Sequence, residues 1–129
     1  MNTIDTQTIS PSEYPVTVRV RTHTFHSDAS TAAGGADSAP GPHDLFDSAL
    51  ATCKAITAMW YAKHHDLPLE RVETHVESDN TDERTGVYRM HVRVELFGPL
   101  TDEQRDQIQR AIAKCPIHKL MTTADIQID

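Results

Sequence analysis

The chain carries two cysteines, Cys53 and Cys115, and no other residues offer chemistry so directly by their type. A thiolate is a strong nucleophile, and two thiols that meet can cycle through a disulfide. No phosphate-cradling glycine loop, Ser-His-Asp arrangement or paired acidic motif competes with them. The eight histidines raise a metal alternative, because Cys115-x-x-His118 has half-site spacing and Cys53 would add a third ligand. Tetrahedral zinc needs a fourth ligand, and neither Cys-x-x-Cys nor His-Glu-x-x-His occurs, so neither a metal nor a cofactor is expected. The plainer alternative is that both cysteines fill space in a core, as this residue type often does.

Composition bounds the setting of that chemistry. At 129 residues the chain fits one domain of ordinary size, with 12 basic and 19 acidic residues for a net charge of −7. No basic footprint for nucleic acid or an anionic membrane exists. The first ten residues lack the charged and apolar regions of a secretory signal. The most apolar run, Ala49 to Ala62, is interrupted by Lys54 and falls short of the roughly 20 residues a membrane span needs. The expectation is a cytoplasmic protein with no membrane partner, in a compartment where cysteines stay reduced or act in catalysis.

The elements that must position the thiols follow from periodicity. Residues 1–15 are polar, contain Pro11 and Pro15, and are expected to lie loosely on the surface, ahead of a domain over 16–129. Val16, Val18 and Val20 alternate with polar residues and predict a strand that runs on through Thr22 and Thr24 to Phe25. Residues 27–42, rich in Ser, Ala, Gly and Pro, predict a long loop ending in Pro40-Gly41-Pro42. Residues 43–65 predict a long helix, with Phe46, Ala49, Leu50, Cys53, Ile56, Thr57 and Trp60 on one inward stripe and Asp47, Lys54 and Lys63 opposite. Val72, Thr74 and Val76, then Met90, Val92, Val94 and Leu96, predict an antiparallel hairpin around the turn 78–86. Thr101-Asp102-Glu103-Gln104 reads as a capping box, opening a helix that carries Ile108, Ala111, Ile112 and Cys115 to a stop at Pro116. A final short strand is expected at 125–128. The fold class is α+β, with helices on one face of a mainly antiparallel sheet.

Each helix thus brings one cysteine to its apolar stripe. Cys53 lies too far inside its helix for the dipole to help, so its activation requires a nearby cation or hydrogen-bond donor. Cys115, read in a last helical turn, meets the negative end of a dipole, which disfavours a thiolate. Cys53 is therefore the nucleophile candidate and Cys115 its resolving partner. Phe46, Leu50 and Trp60 share the stripe with Cys53 and are candidates to line an apolar pocket beside it.

The segment G-P-H-D-L-F-D-S-A-L-A-T-C-K-A-I-T at 41–57 and the motif Lys114-Cys115-Pro116-Ile117-His118 resemble the OsmC/Ohr family, over about residues 16–128 in element order. The resemblance implies an OsmC-like fold built as an intertwined homodimer with two sites at the interface. It implies reduction of small hydrophobic peroxides by Cys53, resolution by Cys115, and recycling by an external dithiol. The family's peroxidases carry a Glu ten positions before the first cysteine and an Arg held by that Glu. Here the Glu position is His43, followed by Asp44, and no Arg occurs between Thr22 and Glu70. His43 and Asp44 are accordingly read as lining the site entrance, not as clamping an Arg. A second reading keeps the fold without catalysis, as a dimeric module that binds an apolar small molecule.

Overall fold

The structure is a computed structural model that describes residues 1–129. The fold is α+β, with every strand pair antiparallel. The element order is β1 (Ile4–Thr8), β2 (Val16–Val20), β3 (His23–Ser27), α1 (Pro42–His64), β4 (Arg71–Asp79), β5 (Arg89–Phe97), α2 (Asp102–Ile112) and α3 (Pro116–Thr123). The chain forms two compact units, Met1–Phe46 and Asp47–Asp129.

In the first unit β1, β2 and β3 form one sheet in that order. The segment expected to lie loosely thus contributes a strand, with Ile4 opposite Val20 and Thr8 opposite Val16. Its five residues are all exposed, so no buried apolar face announces it and backbone pairing alone makes it a strand. The strand expected to run on to Phe25 reverses instead. Arg21 takes a left-handed conformation (φ 53°) of the kind a tight two-residue reversal needs, and Val20 pairs with His23 across it. The loop 27–42 is organised around buried Asp28, whose carboxylate accepts from Ala29 N–H at 2.7 Å, Ser38 N–H at 3.0 Å and the Ser38 hydroxyl at 2.8 Å. Gly35 approaches the Ala29 carbonyl so closely that no Cβ fits there.

In the second unit the hairpin β4–β5 has the predicted phase, with Val72 opposite Leu96, Thr74 opposite Val94 and Val76 opposite Val92. Its inner residues meet Ala58 and Ala62 of α1 and Ile108 and Ile112 of α2 in one apolar core. The small alanines let α1 come close. Thr74 Oγ1 donates to the Ala51 carbonyl at 3.2 Å, and Arg105 of α2 donates to the Leu96 carbonyl at 2.6 Å and the Gly98 carbonyl at 3.2 Å. The capping box is present: Gln104 N–H donates to Thr101 Oγ1 at 3.1 Å, and Thr101 N–H to Gln104 Oε1 at 3.0 Å.

Two expectations fail at the C-terminal end. Residues 125–128 form no strand, and Ile126 and Ile128 are exposed. Pro116 does not stop a helix that reaches Cys115. The helix α2 ends at Ile112, and Pro116 opens α3. Proline suits the first helical position, where its missing N–H would be unpaired anyway.

Candidate functional site

Helix α1 opens on Pro42, and Asp44 Oδ2 accepts from Gly41 N–H at 2.8 Å, so Asp44 serves as half of a helix cap. His43 and Phe46 are exposed in the first turns. Further along, the buried residues are Leu50, Lys54, Ala58 and Ala62, a row at steps of four. This corrects the predicted stripe. Ile56 is 68% exposed and Trp60 56%, whereas Lys54, assigned to the polar side, is only 5% exposed. Apolar residues occupy both sides of this helix, so periodicity alone did not reveal which side faces the core.

Cys53 lies between the two sides and is half-buried. Its Sγ is 4.0 Å from Thr57 Oγ1. It lines a cavity of about 720 Å³ together with Ala49, Ile56 and Trp60 of α1, Ala111 of α2, and Pro116 and Ile117 at the start of α3. Of the residues expected to bind beside Cys53, Trp60 lines this cavity, while Leu50 is turned into the protein and buried.

Cys115 is fully buried and occupies the N-cap of α3, not the last turn of α2. Its N–H donates to the Ile112 carbonyl at 3.1 Å, and its Sγ accepts from His118 N–H at 3.4 Å. The dipole argument therefore reverses, because the positive end of a helix faces this sulfur. Burial nonetheless pushes the Cys115 thiol above its ordinary value of 9.0. The His118 N–H and the charge of Lys54 pull it back down, while the neighbouring Cys53, by hydrogen bond and by charge, pushes it up. The two cysteines are thus brought together, as free thiols.

Sequence reasoning found no cation for this site. The structure supplies two lysines: Lys114 lines the cavity with Cys53, and Lys54, outside that lining, donates from Nζ to the Ile112 carbonyl at 3.2 Å and lies 3.1 Å from His118 Nδ1. The signal was a lysine at the four-residue step of an otherwise apolar row. His118, noticed only for its zinc-like spacing from Cys115, turns its ring to Lys54. On the hairpin, Glu73, His75 and Glu95 bring ligand atoms within 4.8 Å of one another, but Glu73 pairs with Arg71 at 3.1 Å and Glu95 with Arg93 at 3.5 Å. No helix is long and apolar enough to cross a membrane.

The antiparallel α+β fold, with its long helix and two shorter ones, is one that known proteins share. The family of OsmC-like proteins, OsmC, matches residues 34–129, and the chain belongs to it. Among solved structures, an OsmC-like protein from Mycoplasma pneumoniae has a TM-score of 0.75 at 18% identity, over 96% of this chain and 89% of that one. An organic hydroperoxide resistance protein OsmC from Legionella pneumophila has a TM-score of 0.67 at 16% identity, over 95% and 90%. The organic hydroperoxide resistance protein OhrB of Bacillus subtilis has a TM-score of 0.63 at 17% identity, over 95% and 91%. At these identities the likeness is one of fold. No curated protein matches the sequence.

Proposed function

We propose that this chain is a thiol-dependent redox protein that reduces small hydrophobic organic hydroperoxides through Cys53 and Cys115 in the cytoplasm. The observation that carries the reading is a half-buried cysteine on the wall of an apolar cavity, with a second, fully buried thiol beside it. The cavity gives an alkyl group a place to bind, and Cys53 is the thiol a peroxide can reach. The names of the Legionella and Bacillus proteins, both concerned with organic hydroperoxide resistance, support the same direction.

In the proposed cycle the Cys53 thiolate attacks one peroxide oxygen. The O–O bond breaks, an alcohol leaves after taking a proton, and Cys53 becomes a sulfenic acid. Cys115 condenses with it to a disulfide and releases water. An external dithiol reduces the disulfide by exchange. The exposed Ile56 and Trp60 fit a homodimer covering this side of α1, with an interface above about 2,000 Å² as in obligate dimers. A monomer at micromolar concentration in sedimentation would count against that assembly.

The test is mass spectrometry after one equivalent of cumene hydroperoxide. The wild type is expected to lose two hydrogens through a Cys53–Cys115 bond. Cys53→Ser abolishes turnover, and Cys115→Ser leaves a sulfenic acid on Cys53 that dimedone traps. Trapping at Cys115 alone reverses the roles. A second reading, a non-catalytic dimeric module holding an apolar molecule, is favoured by the cavity lining itself. It takes over if neither cysteine reacts with cumene or tert-butyl hydroperoxide.

A further inference from the structure

We propose that Lys54 is the positioning cation of the thiol pair, held on the Ile112 carbonyl and His118 Nδ1 so that its charge stands ready for the thiolate of Cys115. The inference rests on the redox reading above and names the group that makes its second step possible. A lysine is almost never buried without a compensating partner, because an ammonium removed from water loses a large solvation energy. Lys54 is buried, and its two hydrogen-bond partners, a carbonyl oxygen and an imidazole nitrogen, bring it no negative charge. An ammonium can only donate, so in this contact His118 Nδ1 offers its lone pair. The site therefore holds a cation without a counter-charge.

The connections lead to one candidate for that charge. The Ile112 carbonyl that accepts from Lys54 also accepts from Cys115 N–H, and the His118 whose ring meets Lys54 donates its backbone N–H to Cys115 Sγ. Two separate links thus tie the ammonium to the turn that carries the buried thiol. When Cys115 resolves the sulfenic acid on Cys53, its S–H bond breaks and its sulfur lone pair attacks the Cys53 sulfur. The S–S bond forms as the S–O bond breaks, and the departing hydroxide takes the Cys115 proton and leaves as water. The oxidising equivalents come from the organic hydroperoxide of the first step. Lys54 remains protonated throughout and lowers the cost of the thiolate, which burial alone would make severe. A purely structural role, tethering α1 to the last carbonyls of α2, predicts no effect on the ionisation of Cys115.

The experiment uses full-length Cys53→Ser protein labelled with 13C at the cysteine β-carbon, so that Cys115 is the only thiol. Its β-carbon shift is followed against pH, with and without Lys54→Met. The midpoint is expected to rise by about one pH unit, a tenfold loss of thiolate at a given pH. His118→Leu, which keeps the charge but removes one of its holds, should raise the midpoint by less, and His118→Asn, which restores an acceptor, should return it. This pair decides the matter if Lys54→Met does not fold. An unchanged midpoint in Lys54→Met, or His118→Leu and His118→Asn both matching the parent, overturns the proposal. With both cysteines present, quenched-flow trapping after cumene hydroperoxide should find the disulfide step of Lys54→Met slowed more than the first oxidation of Cys53. Disulfide formation should be about tenfold slower, in proportion to the lost thiolate. If Cys53 never reacts with peroxide, the redox reading fails while the titration still decides whether Lys54 acts on Cys115.

Discussion

Each of the two units buries one charged residue, and the two are satisfied in opposite ways. Asp28, in Met1–Phe46, takes its hydrogen bonds from Ala29 and Ser38, one and ten residues away. Lys54, in Asp47–Asp129, takes its partners from Ile112 and His118, 58 and 64 residues away. The first is a loop tied by its own donors, with every carboxylate contact found in the structure of the loop itself. The second depends on three helices having already packed, because it joins α1 to the last carbonyl of α2 and to the His118 ring of α3. A buried charge satisfied locally organises a segment, whereas one satisfied from afar reports on an assembled site.

The largest expected effect sharpens the contrast on the side of long-range packing. Ile108 is fully buried in the core shared by α1, α2 and the hairpin, so Ile108→Ala should cost about 2–5 kcal/mol through lost burial and the cavity left behind. A shift of the denaturant midpoint at constant slope would show it. A loss well under 1 kcal/mol would mean that this core does not hold the unit together.

A smaller and local effect is expected at the other charge. Asp28→Ala leaves the N–H groups of Ala29 and Ser38 without their acceptor. Hydrogen exchange at those two amides should accelerate, while the amides of Ile108 and Ile112 keep their protection. Equal loss in both places would erase the distinction between local and long-range satisfaction.

The gentlest probe is acid. The Ser38 backbone N–H and then the Ser38 hydroxyl, with help from the Ala29 and Ala36 amides, hold the Asp28 carboxyl below its ordinary value of 3.8. A depressed folded value means that the unfolded chain takes up the proton first as pH falls. The contribution of Asp28 is therefore complete above about 3.8 and is lost as the pH drops from there through the folded value. Limited proteolysis within 27–42 should stay constant from pH 7 to 5 and rise only below about pH 4, ahead of global unfolding. Cleavage that increases already between pH 7 and 5 would assign the loop's stability to some other group.

Local pattern sufficed wherever the decisive interactions are close in the chain. Alternation at Val72–Val76 and Met90–Leu96 specified the hairpin and its phase, because residues two apart in a strand share a face. Thr101 and Gln104 specified the start of α2, because a cap is made within three residues. The residue types around Cys53 and Cys115 also marked the pair as the place to look, and the central motif pointed to the family. The extent of α1 was legible too, since its turn signals and apolar spacing flank the same stretch.

Tertiary structure alone decided the rest. Strand β1 has no buried face, so only its pairing with β2 makes it a strand. Pro116 closes one helix or opens the next with equal local ease, and the burial of Cys115 between α2 and α3 selects the second. Helix α1 is apolar on two sides, and its sequence favours large residues such as Ile56 and Trp60 over the small ones that let it approach the hairpin. Its orientation is set by close packing at Ala58 and Ala62, and that same rotation turns Lys54 inward. The sequence by itself names the two thiols. That Lys54 turns inward to the Ile112 carbonyl and the His118 ring follows from a helix rotation that only the packed core determines.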